Sequence, residues 1–137
     1  MEDQELRHVI IADDEPHIGR IVQMKLEQGP FTVTLTYDGE EALSVIREAE
    51  RVDLLLLDLM MPRKSGLDVL RALREDERFK SLPIVILTAG GVAQDQRAAI
   101  ELGATEVLTK PFSPKKLYAL VARLTDVVAD EPGPEAE

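Results

Sequence analysis

Five short apolar runs, each followed by a segment of helical periodicity, organise this chain from end to end and leave few folds open to it. Val9–Ala12 (VIIA) is the first run, and Ile18, Ile21, Val22 and Leu26 then recur at the spacing of one helical face. Gly29-Pro30 stops that helix. Phe31–Tyr37 (FTVTLTY) alternates apolar residues with threonines, and Asp38 is placed to cap a helix burying Ala42, Leu43 and Ile46. Leu54–Leu57 is the third run, followed by Leu67, Leu70 and Leu73. Pro83 opens the fourth, Ile84–Leu87, and a helix through Ala98, Ala99 and Leu102 closes at Gly103. Thr105–Thr109 is the fifth, and Leu117, Leu120, Val121, Leu124 and Val128 form the stripe of a last helix.

A fivefold βα alternation implies parallel strands joined by right-handed helical crossovers. Runs one, three and four are continuously apolar, as strands covered by helices on both faces must be. The threonine-rich second run reads as an edge. The expected fold is therefore α/β, a (βα)5 doubly wound flavodoxin-like sheet with strand order 2-1-3-4-5.

The totals exclude several classes of function. The 137 residues suit one domain with a sizeable core. No cysteine is present, so neither a disulfide framework nor a thiolate metal site is available. A net charge of −10 argues against nucleic acid as a partner. The polar start MEDQELRH lacks the pattern of a secretory signal, and no apolar run approaches the roughly 20 residues that span a bilayer. A cytoplasmic location is the expectation. The ending VVADEPGPEAE reads as an acidic tail.

In sheets of this kind chemistry gathers at the carboxyl ends of the strands, near the reversal of strand order. Asp13, Asp14 and Glu15 follow the first run, Asp58 the third, Thr88 the fourth and Lys110 the fifth. Strands one and three are neighbours in the expected order, so their acids meet. Unit charges about 4 Å apart repel by roughly 4 kcal/mol at an effective dielectric near 20. A shared proton or a divalent cation would relieve that repulsion. An all-oxygen site suits Mg2+ better than a soft metal. A phosphoryl group adds a use for the rest: Lys110 and Thr88 can each hold one of its oxygens, leaving Asp58 as the nucleophile of an aspartyl phosphate.

With those residues in place, the sequence resembles a response-regulator receiver domain of two-component signalling, similar to the chemotaxis regulators. The segments that carry the resemblance are IIADDEP, LLLLDLMMPRKSG, PIVILTA and GATEVLTKPF, in order and each after a strand. They span about residues 7–128. The domain is accordingly expected over 1–128, with 129–137 as the tail. The resemblance implies that Asp58 is the phosphoacceptor, Asp14 a direct Mg2+ ligand and Asp13 an acid that reaches the metal through water. It also implies that the Met60 carbonyl completes the coordination, Thr88 is the switch hydroxyl and Lys110 is the phosphate-binding cation. Pro111 matches a proline preceded by a cis bond, and Gly66 a turn glycine after the acceptor loop. The expected partner is a histidine kinase or a histidine phosphotransfer protein, with no membrane and no nucleic acid. The protein would be a phosphorylated switch rather than a turnover enzyme.

Two departures carry expectations of their own. Val107 stands where the family usually has Tyr or Phe, so switching would run through loop and helix shifts without a swinging ring. The resemblance implies that the positions of Met60 and Gly90 flank the path of the hydrolytic water, and neither residue can orient one, which predicts a long-lived phosphoryl group. The face built from the last two strands and helices, with Ala98, Ala99, Val107 and Tyr118, is expected to meet a target or a second copy. Bland readings go to Glu15 (a first-turn acid), His8 and His17 (surface or strand edge), and Arg71, Arg74 and Lys80 (a solvated face). The rivals are an aspartate-nucleophile phosphatase, which would need an acid where Met60 stands, an FMN binder, which would need a hydroxyl- and glycine-rich loop in place of ADDEPHIG, and a scaffold that is never phosphorylated.

Overall fold

The computed structural model describes residues 5–61, 63–89 and 93–127. In chain order the elements are β1 (Arg7–Ala12), α1 (Pro16–Leu26), β2 (Phe31–Thr36), α2 (Gly39–Glu48), β3 (Leu54–Asp58), α3 (Gly66–Arg74), β4 (Ile84–Thr88), α4 (Ala93–Glu101), β5 (Glu106–Thr109) and α5 (Pro114–Leu124). A 3-10 turn, Glu77–Phe79, lies between α3 and β4. All strand pairs are parallel, in the order β2-β1-β3-β4-β5. This is the expected doubly wound sheet, with the threonine-rich strand at one edge.

Side-chain alternation along the strands sorts the core into two layers. Ile10, Leu55, Leu57, Ile84 and Ile86 face α2, α3 and α4. Val9, Ile11, Leu54, Leu56, Val85 and Leu87 face α1 and α5. β3 and β4 are buried along their whole length, as their uninterrupted apolar runs require. Asp38 caps α2 by accepting the Glu41 N–H at 2.8 Å, and Ser65 caps α3 by accepting that of Asp68 at 3.3 Å. Gly103 ends the turn after α4 at φ +108°, a conformation that favours glycine. Among the described residues no helix is long and apolar enough to cross a membrane.

Several readings from the sequence are corrected by packing. Ile21, assigned to the buried face of α1, is 44% exposed, and the tight approach to β2 is made by Gly19 against Leu35. Of the face assigned to a target, Ala99 is fully buried and Tyr118 lies on the other layer, edge-to-face with Phe31 at 5.6 Å. Arg74 is no free surface charge: its guanidinium donates to the carbonyls of Gly103 (3.0 Å) and Phe79 (2.8 Å), tying α3 to the turns before β5 and β4. His8 bridges strands, with one ring nitrogen 2.7 Å from the Arg51 carbonyl and the other 2.8 Å from Thr34 Oγ1. Pro62, Gly90, Val128 and the acidic tail lie outside the described residues.

Candidate functional site

Strand register brings the polar residues together. Ala12 pairs with Leu57, so Asp13 and Asp58, one residue further on each strand, emerge at the same height. Asp58 pairs with Leu87, which puts Thr88 one step above it, and Thr88 pairs with Thr109, which puts Lys110 one step higher again. The Lys110 N–H donates to the Thr88 carbonyl at 2.7 Å, so these two positions share a backbone link. The Lys110–Pro111 peptide bond is cis, as the resemblance implied.

Carboxylate oxygens of Asp13, Asp14 and Asp58 lie within 4.8 Å of one another. Asp13 and Asp58 are buried, at 1% and 5% exposure, whereas Asp14 faces solvent. Lys110 enters this cluster from the side, its Nζ 2.8 Å from Asp13 Oδ2, 2.9 Å from Glu15 Oε1 and 3.4 Å from Asp58 Oδ2. Burial works against its charge. The hydrogen bonds to the acids outweigh that cost and raise its pKa above the ordinary lysine value.

Asp58 carries the electrostatic cost of the arrangement. Burial first, and then repulsion from Asp13, push its pKa up to about 6, against the pull of the Met60 N–H and Lys110. The Met60 N–H donates to Oδ1 at 3.2 Å and Lys110 Nζ to Oδ2 at 3.4 Å, so both oxygens are held in place. The acceptor is also braced from behind. A Cβ on Gly66 would collide with the Asp58 carbonyl oxygen and come within 2.7 Å of Leu59 Cα, so only glycine lets α3 start this close to the strand end.

The donor set fits a hard dication. All side-chain donors are oxygens, and the fully buried Asp13 Oδ2 has the Lys110 ammonium, 2.8 Å away, as its ion-pair partner. Three carboxylates within 4.8 Å share that one ammonium, which leaves negative charge that a dication would balance.

The expected residues Asp13, Asp14, Asp58 and Lys110 thus share one pocket, with the Met60 backbone bordering it and Thr88 buried at the adjoining strand end. Val107 is half-buried and packs against the core beneath α4, where it fills space. Glu15, expected as a first-turn acid, is the N-cap residue of α1, but its side chain makes no cap and bonds Lys110 instead. The signal available in the sequence was the third acid of ADDE, which no helix-capping role required. Arg63 was also passed over. It holds a left-handed φ of 68° in the loop after β3 and pairs with Asp38 at 3.2 Å.

Comparison with known proteins agrees with this geometry. The chain is 37% identical over 116 residues to the transcriptional regulatory protein CpxR of Escherichia coli K12, an alignment covering 85% of this chain and 48% of that one. It therefore spans about half the length of this curated relative. Among solved structures, the chemotaxis response regulator CheY4 of Vibrio cholerae superposes with a TM-score of 0.81 at 30% identity, covering 87% of this chain and 98% of CheY4. The phosphorylated cyanobacterial phytochrome response regulator RcpA superposes with a TM-score of 0.79 at 27% identity, covering 93% and 99%. Residues 9–122 match the response regulator receiver domain family as a whole. Strand order, site geometry and this match together place the chain in the response regulator receiver domain family.

Proposed function

We propose that this domain is a Mg2+-dependent phosphoacceptor, taking a phosphoryl group onto Asp58 from the phosphohistidine of a kinase or phosphotransfer protein. The family is a signalling switch with an acidic pocket for Mg2+. The observation that carries the reading is the convergence of three acids and one lysine at the strand ends. A pKa of about 6 leaves Asp58 largely ionised at neutral pH, as a nucleophile must be.

A carboxylate oxygen of Asp58 forms the new bond to phosphorus while the P–N bond of the donor breaks, and the imidazole nitrogen that leaves takes up a proton. Asp13, Asp14, Asp58 and the Met60 carbonyl would hold Mg2+, which when bound screens the negative charge that otherwise keeps an anion from approaching an anion. Lys110 would supply a fixed positive charge on the other side, and the Thr88 hydroxyl would donate to a third phosphoryl oxygen. The stiff buried strand under Asp58 keeps the attacking atom in line. A shift at Thr88 would pass to Lys110 through their shared backbone bond and on to the loop before α5, without needing an aromatic ring at Val107.

The phosphatase rival lacks support, because Met60, an exposed residue with no ionisable group, stands where its general acid would be. Relatives such as CpxR are named transcriptional regulators, and the acidity of this stretch favours a protein over DNA as the receiver's own contact. The test is labelling by acetyl phosphate. Single-site labelling that needs Mg2+ and disappears in Asp58→Asn supports the reading. Label that persists in Asp58→Asn, or sustained turnover of small phosphate esters, overturns it.

A further inference from the structure

Lys110 has every donor claimed before a phosphoryl group arrives. An ammonium has three N–H donors, and here Asp13, Glu15 and Asp58 all lie within 3.4 Å of it. A phosphoryl oxygen arriving at Asp58 needs one of those donors. Asp13 and Asp58 are fixed at buried strand ends, so they cannot swing away. The Glu15 side chain is half exposed, caps nothing and has solvent to turn into.

We infer that Glu15 is a positioning residue that latches Lys110 in the resting state and competes with the phosphoryl group for it. The inference rests on the phosphoacceptor reading. It assigns the contact that must break on activation to the one partner free to move. Losing Glu15 would leave Lys110 more mobile at rest and more available to the phosphorylated state.

The experiment measures beryllofluoride affinity at saturating Mg2+ in the wild type, Glu15→Gln, Lys110→Ala and the double variant. Glu15→Gln is conservative at an exposed position, and circular dichroism checks its fold. A half-exposed ion pair of this kind shifts an equilibrium by about two- to fivefold. Glu15→Gln should tighten beryllofluoride by that factor, and the gain should vanish in the Lys110→Ala background. In metal-free protein, 13C relaxation of the Lys110 side chain should report greater mobility in Glu15→Gln. Unchanged affinity and mobility in Glu15→Gln would overturn the latch. So would an equal gain with Lys110 absent, which would mark a general charge effect. If the wild type itself binds no beryllofluoride, the phosphoacceptor reading fails instead, and the two failures are told apart.

Discussion

Without metal, the acceptor should be a source of instability that Asp58→Asn relieves. Burial and Asp13 raise the Asp58 pKa from 3.8 to about 6. A shift of about two units corresponds to roughly 3 kcal/mol between the protonation states. Because the folded-state value is the higher one, the native protein binds more protons between about pH 4 and pH 6, and stability falls as pH rises through that window. Above it the full cost persists. Asparagine removes the charge and can still accept the Met60 N–H, but gives up part of the attraction to Lys110. The net gain should therefore be about 1–3 kcal/mol at pH 8 in EDTA, a rise of about 1 M in the urea midpoint. The gain should fall to a small remainder near pH 4, where the wild-type carboxyl is protonated in the folded state and only partly ionised in the unfolded one. Saturating Mg2+ should also shrink it, since a ligand bound by the native state stabilises the wild type more than a variant lacking one of its ligands. Urea titrations followed by circular dichroism at both pH values, with and without Mg2+, measure all three. An Asp58→Asn protein no more stable than the wild type at pH 8 without metal, or one equally stabilised at pH 4, would refute the reasoning.

Gly66→Ala should destabilise the domain by about 1–3 kcal/mol and slow acetyl phosphate labelling, because the added Cβ meets backbone at Asp58 and Leu59 that cannot move aside. Urea titration together with labelling rate checks both effects. Arg74→Ala should cost about 1–3 kcal/mol by withdrawing a charged donor from the Gly103 and Phe79 carbonyls, while labelling at Asp58 stays at the wild-type rate. Phosphate release from pre-phosphorylated protein should be slow and should quicken several-fold in Met60→Asn, whose amide can orient a water where the exposed thioether cannot. Release that is already fast in the wild type would contradict this.

Much of the architecture is legible in the chain because it is written in local patterns. The uninterrupted LLLL of β3 can satisfy burial on both faces only inside a helix-covered parallel sheet. The threonine alternation of β2 marks an edge, and Asp38 and Gly103 announce helix ends through chemistry that acts within a few residues. The strand order then brings Asp13, Asp14, Asp58 and Lys110 to one place, so the site too follows from residue type and position after each strand. The rest depends on contacts between residues distant in sequence. Tyr118, expected on the face of the last two strands and helices, packs against Phe31 instead, because helical periodicity sets which residues share a stripe but not which neighbour covers its rim. Arg74 looks like any surface arginine until Gly103 and Phe79 turn their carbonyls toward it.

What the sequence alone determines is the order and covering of the strands, and from that which acids become neighbours, because both follow from side-chain burial along short segments. What only the tertiary structure decides is how those neighbours divide a single cation. Whether Lys110 leans on Asp13, Glu15 or Asp58 is settled by differences of a few tenths of an ångström, set by strand register and the turn that leads into α1. No local pattern records distances of that size across chain separations as large as the one between Glu15 and Lys110.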